Sequence, residues 1–129
     1  MESPKSALLP NNQPRKRYDL EERTLAFARE VIRLVNQLPR TRANEELSRQ
    51  VIRSAGSVGA NYIEANESLG KKDFVLRLRI ARKEAKETRY WLQLLEYPES
   101  LNGELAHLIQ ESTELLKILS AIIGKLKTN

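Results

Sequence analysis

The chain has 129 residues, no cysteine and a formal net charge of +5 at pH 7, with 40% hydrophobic and 30% charged residues. This composition is typical of one globular domain and is too apolar for a chain that is disordered throughout. The sequence has no apolar run of about 18 residues and no apolar signal core near its start, so we expect neither a membrane span nor secretion. The absence of cysteine excludes disulfides and thiolate metal sites and favours a reducing compartment, the cytoplasm.

The positive charge is concentrated in two segments. Residues 71–90 hold eight lysines and arginines against Asp73, Glu84 and Glu87. The second cluster lies near the start of the chain, at residues 15–17. A concentrated excess of this kind favours a polyanionic partner more than a diffuse one does.

Residues 1–17 contain three prolines and no hydrophobic periodicity, which predicts a flexible basic arm ahead of one bundle domain, residues 18–129. The arm ends in a basic cluster made of Arg15, Lys16 and Arg17. This cluster either contacts phosphates or is a solvated tail that precedes the first helix, and the sequence leaves both interpretations open.

The first helix is predicted to begin at Asp19, which together with Glu22 resembles a capping box, and to end near Leu38, before Pro39. Its apolar stripe consists of Leu20, Thr24, Phe27, Val31, Leu34 and Leu38, and Leu25, Ala28, Ile32 and Val35 are predicted to widen the buried face.

The second helix is predicted to begin at Asn44 as its N-cap and to end at Gly70 as its C-cap. Its stripe consists of Leu47, Val51, Ala55, Val58, Tyr62, Ala65 and Leu69. Two glycines inside it, Gly56 and Gly59, each cost about 1 kcal/mol relative to alanine. They lack the Gly-Lys-Ser/Thr ending of a phosphate loop and follow no strand, so close helix packing is the better account.

The third helix is predicted from Lys71 to Glu96 and carries both a buried stripe and a cationic face. The stripe repeats at alternating steps of four and three and consists of Phe74, Leu78, Ala81, Ala85, Thr88, Leu92 and Leu95. At about 100° per residue, a broad sector away from it holds Lys71, Arg79, Arg82, Lys83, Lys86 and Arg89. Lys72 joins these six as a candidate nucleic-acid contact. Arg77 lies nearer the stripe and is predicted to form a structural ion pair on the side of Glu84.

The last helix is predicted from about Asn102 to Lys127, after a break at residues 97–100. Its stripe consists of Leu101, Leu105, Leu108, Ser112, Leu115, Leu119, Ile122 and Leu126. Four amphipathic helices with short links and no strand pattern predict an all-α fold, an antiparallel up-down-up-down four-helix bundle.

Two long segments carry a resemblance to a known family. They read LSRQVIRSAGSVGANYIEANES (47–68) and KKDFVLRLRIARKEAKETRYWLQLLE (71–96). Both resemble the four-helix-bundle proteins encoded in intervening sequences of bacterial large-subunit ribosomal RNA genes. Residues 18–39 also resemble the first helix of that family, whereas the arm and the details of the last helix lie outside the resemblance.

The resemblance implies a cytoplasmic bacterial protein that assembles as a homopentameric ring of bundles with a basic surface. It also implies kinship with the accessory variability protein of diversity-generating retroelements, which binds nucleic acid and a reverse transcriptase. No catalytic activity is implied, because the motif of the family is not a catalytic one.

Nucleic-acid binding is the function that the cationic sector of the third helix favours. Lysines and arginines that neutralise phosphates give salt-dependent binding that is largely blind to sequence. The alternative is a solvated helix face. Tyr90 lies within the sector and could stack on a base, but one aromatic residue is not a stacking platform, so we expect backbone contact or recognition of RNA shape.

Self-association is predicted from apolar residues outside the main stripes, since exposed apolar patches mark contacts. These residues are Ile52, Gly56, Gly59 and Ile63 on the second helix, and Leu76, Ile80 and Trp91 on the third. In the rival interpretation the chain is a structural or adaptor module, and the same residues bind a protein partner such as a reverse transcriptase.

An enzyme is not expected, and no cofactor or metal is implied. His107 is the only histidine, and no Glu-x-x-His motif accompanies Glu84 and Glu87, as a di-iron bundle would require. Asn61 and Glu64 are better explained as structural polar groups beside a bundle seam than as a catalytic pair.

Overall fold

The computed structural model describes residues 16–127, which form four α-helices. Their ranges are α1 (Lys16–Val35), α2 (Arg42–Asn66), α3 (Lys71–Leu94) and α4 (Asn102–Lys127), and a short 3-10 helix (Glu99–Leu101) leads into α4. No strand occurs in the part of the chain that the model describes, so the predicted all-α class and the four predicted helices are confirmed.

Helix α1 begins and ends earlier than the sequence predicts. It starts at Lys16, so Asp19 lies inside the helix and does not cap it, and it ends at Val35 instead of near Leu38. Residues 34–38 continue in a tighter turn, in which backbone N–H groups donate to carbonyls three residues back at 3.0 and 3.2 Å. Such bonds are common where the last turn of a helix tightens.

Thr41, and not Asn44, caps α2. The Thr41 backbone is extended and its hydroxyl accepts a hydrogen bond from the Asn44 N–H at 3.0 Å. The predicted cap is wrong because Asn44 lies inside the first turn, where its side chain is buried. Glu45 also lies in this turn, next to the positive end of the helix dipole.

The Asn44 side chain joins two loops that are distant in sequence. Its Nδ2 donates to the carbonyl oxygens of Pro39 at 3.0 Å and Glu96 at 2.6 Å. Its Oδ1 accepts from the Glu96 N–H at 2.8 Å. One buried amide therefore fixes the α1–α2 link against the chain that leaves α3.

The link between α2 and α3 differs from the prediction. Helix α2 ends at Asn66 with Glu67 as its C-cap, and Gly70 is the N-cap of α3 instead of the C-cap of α2. Leu69 was predicted as the last member of a buried stripe, but it lies beyond the end of the helix and is fully exposed. Helical spacing no longer applies once the helix has ended.

The stripes of α3 and α4 are largely confirmed. On α3 the buried members are Leu78, Ala81, Ala85, Thr88 and Leu92, with Leu95 just past the helix and Phe74 half-buried. On α4 they are Leu105, Leu108, Ser112, Leu115 and Leu119, preceded by Leu101 and joined by Ile123, while Ile122 and Leu126 are half-buried. Helix α4 has the predicted range, and α3 ends at Leu94, one turn before Pro98.

Helices α2 and α3 run antiparallel. The Thr88 and Ser54 hydroxyl oxygens lie 2.8 Å apart in the core, and Arg77 Nη1 donates to Asn61 Oδ1 at 3.3 Å. Residue numbers therefore rise along α2 as they fall along α3.

Helix α1 closes the bundle against α4. Arg23 donates to both Glu111 carboxylate oxygens at 2.6 and 2.9 Å, and His107 Nε2 lies 3.2 Å from a Glu30 oxygen. Residue numbers in these two pairs rise along α1 as they fall along α4, so α1 and α4 are also antiparallel. Paired, two-pronged contacts between arginine and carboxylate fix orientation as well as adding attraction.

Two apolar side chains of α1 are not where the periodicity places them. Leu25 and Ile32 were predicted to widen the buried face, but they are 53% and 42% exposed. The buried face of α1 is narrower because α2 and α4 cover only one side of the helix.

No helix within residues 16–127 is long and apolar enough to cross a membrane.

Candidate nucleic-acid interface

Helix α3 packs against α2 on one side and α4 on the other, and this placement sets the direction of its basic side chains. Its buried residues leave a wide sector that faces away from the core. Within this sector the structure separates the predicted cations into two groups, according to whether they contact α4 or extend into solvent.

Arg82 and Arg89 form the first group, on the side of α3 next to α4. Arg82 Nη1 donates to the Ser120 hydroxyl at 3.4 Å, and Arg89 Nη1 donates to the Thr113 hydroxyl at 3.1 Å. Both arginines are half-buried, so the expectation that the whole sector is open to solvent is wrong for them. Their hydroxyl partners are neutral, so both charges remain uncompensated at this junction.

Four exposed cations form the second group, which we name the outer row: Lys72, Arg79, Lys83 and Lys86. Arg79, Lys83 and Lys86 follow each other at steps of four and three, so they lie one above another along α3. At a rise of 1.5 Å per residue, the row extends over roughly 20 Å. Lys71 is also exposed and lies at the first turn of the helix, next to the row.

Carboxylates neutralise little of the outer row. Lys83 Nζ lies 3.7 Å from Glu87 Oε2, an exposed i,i+4 pair of the kind that is worth less than 1 kcal/mol. Lys72, Arg79 and Lys86 make no ion pair or hydrogen bond with any side chain that the structure describes. The row therefore presents uncompensated positive charge.

Two acidic residues of α3, Glu84 and Glu87, face α2 instead. Arg53 of α2 lies 3.9 Å from a Glu84 oxygen and 4.0 Å from a Glu87 oxygen. Glu84 is buried and its second oxygen has no hydrogen-bond partner among the described residues. The structural ion pair predicted for Arg77 is therefore wrong, because Arg77 bonds to the neutral amide of Asn61 and Glu84 faces Arg53.

A groove lies at the α4 side of the first turns of α3. It has a volume of about 960 Å³, and apolar parts of Val75, Leu76 and Leu126 line it. The side chains of Lys71, Lys72, Asp73 and Arg79 complete its lining. The end of the outer row therefore borders an apolar depression.

The basic arm predicted as a second contact lies largely outside the described residues. Arg15 is not described, and only the backbone of Lys16 and Arg17 is described, as the first residues of α1. The contribution of these three residues to binding stays a prediction.

Most of the predicted self-association residues of α2 are accessible, but Gly59 is not. Ile52 and Ile63 are 37% and 46% exposed, and an added Cβ at Gly56 would meet no atom within 4 Å. A Cβ at Gly59 would lie 2.8 Å from Thr24 Oγ1 of α1. Gly59 therefore permits close packing inside the subunit, and its assignment to a contact between subunits is wrong.

The residues of α3 predicted for self-association divide in a similar way. Leu76 is 53% exposed, whereas Ile80 and Trp91 are half-buried, and Trp91 packs against the core. The indole N–H of Trp91 is buried and has no acceptor within residues 16–127.

Leu25 and Ile32 were missed as surface residues, and they extend the exposed apolar area of α2 onto α1. Thr24 contacts Gly59, and Asn66 Nδ2 donates to Glu21 Oε2 at 3.3 Å, so α1 and α2 are antiparallel. Leu25 therefore lies near the level of Gly59, and Ile32 near that of Ile52. We name Leu25, Ile32, Ile52, Gly56 and Ile63 the α1–α2 patch. The sequence signal that could have revealed this patch is the predicted apolar face of α1, which is wider than two neighbouring helices can cover.

No group of three or more His, Asp and Glu side chains in residues 16–127 is arranged to hold a metal ion. His107 lies far from the outer row, at the α1–α4 junction. There it borders an opening of about 400 Å³ together with Glu30, Arg33 and Glu104.

Residues 16–121 match the model of the family described as 23S rRNA-intervening sequence protein. A crystal structure of a protein of unknown function from the S23 ribosomal protein family of Bacteroides thetaiotaomicron is similar, with 36% sequence identity and a TM-score of 0.72. The similarity covers 85% of this chain and 99% of that one. No curated protein matches this chain.

Proposed function

Because the chain belongs to the 23S rRNA-intervening sequence protein family, we propose that it is a non-enzymatic, homo-oligomeric scaffold in the cytoplasm that binds nucleic acid, primarily structured RNA, through the outer row. One observation carries the proposal: Lys72, Arg79 and Lys86 are exposed and unpaired within the described part of the chain. No carboxylate oxygen of the described residues lies within 4.0 Å of a side-chain nitrogen of these three.

The chemistry of such a surface favours the phosphate backbone. Each lysine or arginine that neutralises a phosphate releases a condensed counterion, so the affinity falls as the salt concentration rises. Phosphate contacts fix the position of the nucleic acid but carry no sequence information. Arg82 and Arg89 lie beside the row, and their remaining N–H groups can add contacts to the same backbone.

Reversing the three unpaired charges, Lys72→Glu, Arg79→Glu and Lys86→Glu, should weaken binding to structured RNA at least tenfold. It should also reduce the slope of log K against log salt by about 2–3, since each lost phosphate contact removes 0.7–0.9 from it. Electrophoretic shift or fluorescence anisotropy over a series of salt concentrations measures both quantities. These substitutions avoid the arginines that bond to α4, so the bundle should remain folded.

The matched control is Arg33→Glu, Arg40→Glu and Arg42→Glu, three exposed arginines at the opposite end of the bundle. Each triple variant lowers the formal net charge by six, from +5 to −1. Equal loss of affinity in both variants would mean that only net charge matters. Unchanged binding by the outer-row variant would remove the row from the interface.

The homo-oligomer in this proposal uses the α1–α2 patch. Four branched apolar side chains lie exposed on one face, and each gains roughly 1 kcal/mol when a neighbouring subunit removes it from water. Gly56, where a Cβ would meet nothing, lets another helix approach closely. Five is the number of subunits that the sequence resemblance implies, which for chains of 14.8 kDa gives 74 kDa.

Ile63→Glu should dissociate the oligomer, because a carboxylate in a contact between subunits would lose its hydration without gaining a partner. Size-exclusion chromatography with light scattering should then give the subunit mass, 14.8 kDa. Leu94→Glu is the control, since Leu94 on α3 has the same exposure, 46%, and lies outside the patch. A wild-type protein that is monomeric at micromolar concentration would contradict the proposal.

The α1–α2 patch also favours a second candidate function, an adaptor that binds a protein partner such as a reverse transcriptase. A monomeric wild type that copurifies with a defined protein and has a low ratio of absorbance at 260 and 280 nm would favour the adaptor. An oligomeric protein whose binding to RNA depends on the outer row would favour the nucleic-acid-binding scaffold.

A further inference from the structure

The outer row ends at an exposed aromatic ring. Tyr90 follows Lys86 by four residues and Lys83 by seven, so it lies on the same line of α3 as the cations. Its side chain is 56% exposed, and its hydroxyl makes no hydrogen bond with any group in the described part of the chain. The ring is therefore available to a ligand that follows the row.

Contact with Trp91 restrains this ring. The two ring centroids lie 5.3 Å apart with an angle of 65° between the planes, an edge-to-face arrangement. Trp91 is itself half-buried and packs against the core. Tyr90 is thus held in place by an anchored neighbour, which reduces the rotamer freedom that would be lost on binding.

A restrained aromatic face beside a row of cations suits an unpaired base. Stacking requires a base whose face is accessible, which a base inside a duplex does not offer, and it tolerates any sequence because every base has a π-face. Lys86 and Lys83 lie within about one and two helical turns of the ring, where they would meet the phosphates next to the stacked base.

The sequence pattern favoured backbone contact over stacking, but it could not show that Trp91 restrains an exposed Tyr90 ring. We propose that Tyr90 stacks on one unpaired base and that the outer row therefore binds single-stranded segments, loops or bulges in preference to continuous duplex. This inference rests on the proposed function and specifies the ligand class of the same surface. The cations provide affinity for either form of nucleic acid. The tyrosine ring provides the preference for unpaired bases.

The experiment compares Tyr90→Leu and Tyr90→Phe with the wild type by fluorescence anisotropy. The probes are a short mixed-sequence RNA and the same strand annealed to its complement. Tyr90→Leu keeps an apolar side chain of similar length but removes the π-face, so it should weaken single-strand binding about tenfold and leave duplex binding unchanged. Tyr90→Phe keeps the ring and should bind both probes as the wild type does.

Tyr97→Leu is the matched control, an exposed tyrosine beyond the end of α3, and it should change neither affinity. Because Tyr90 is exposed, its replacement should leave the unfolding curve of the protein unchanged, which circular dichroism checks. Equal single-strand affinity for Tyr90→Leu and the wild type, or an equal loss on both probes, would overturn the role of Tyr90 while the proposed function stands. A wild type that binds neither probe would overturn both.

Discussion

Replacing Asn44 by alanine should lower the free energy of unfolding by about 3 kcal/mol. The substitution removes three hydrogen bonds of 2.6–3.0 Å and leaves the Glu96 N–H and carbonyl without their side-chain partner, whereas the Pro39 carbonyl keeps its bond from the Thr41 N–H at 3.0 Å. Asn44 is buried, and each hydrogen bond of this kind contributes about 0.5–1.5 kcal/mol, so the loss of three accounts for the expected change. Urea denaturation followed by circular dichroism measures the change, when the same slope m of unfolding free energy against urea concentration is fitted to both proteins.

Two further variants separate the hydrogen bonds from the volume of the side chain. Asn44→Asp keeps the shape but replaces the donor by an oxygen that faces two carbonyls, so its loss should equal or exceed that of alanine. Asn36→Ala removes an exposed amide in the same link that makes no side-chain hydrogen bond to a described residue, and it should stay within about 0.5 kcal/mol of wild type. A similarly small change for Asn44→Ala would contradict the stabilising role of the Asn44 hydrogen bonds.

Alanine at the two glycines of α2 should have effects of opposite sign. At Gly59 the new Cβ would lie 2.8 Å from Thr24 Oγ1 and 3.1 Å from Thr24 Cβ, so the helices must separate and stability should fall by about 2 kcal/mol. At Gly56 the Cβ meets nothing within 4 Å in its own subunit, so a dissociated subunit, such as that of the Ile63→Glu variant, should gain up to about 1 kcal/mol of helix propensity. In that dissociated background, the free energies of unfolding of the two variants should therefore differ by about 3 kcal/mol, as measured by urea denaturation.

Thr24 cannot easily move away from a side chain at position 59. It is buried, it is branched at Cβ, and its hydroxyl donates to the Glu21 carbonyl at 3.0 Å. Removing the hydroxyl, as in the double variant Gly59→Ala with Thr24→Ala, should recover part of the loss. If Gly59→Ala alone stabilised the protein as Gly56→Ala does, the close approach of α1 and α2 would be excluded.

The long stripes of α3 and α4 were predictable because helical periodicity is a local property. Apolar residues at steps of three and four fall on one face of any helix, whichever elements cover that face. The cationic sector opposite the stripe follows from the same geometry. The four helices and their class could therefore be derived before any contact between them was known.

Helix ends depended on contacts that local sequence does not contain. Asn44 has the preferred chemistry of an N-cap, and so does Thr41 three residues earlier. Asn44 is inside the helix because its amide bonds to Glu96, 52 residues away in the chain. Both residue types can cap a helix, and the backbone of Glu96 selected the start at Thr41.

The candidate interface could be predicted only in part from the sequence, because the partners of its charged side chains lie on other helices. The sequence assigned seven of the eight cations of α3 to one interface. It could not indicate that Arg82 and Arg89 reach hydroxyls of α4 while Lys72, Arg79 and Lys86 meet no carboxylate. The assignment of Arg77 failed because its partner lies on α2. Partners of a charged side chain depend on neighbouring helices, which spacing along one helix does not give.

By itself, the amino-acid sequence determined that the protein is helical, that four amphipathic segments form a bundle, and that positive charge collects on the third. Only the tertiary structure decided which apolar residues are covered. It buried Gly59 against Thr24 and left Leu25 and Ile32 in water. Periodicity gives the direction in which a side chain points from its own helix, whereas burial depends on whether another helix lies in that direction.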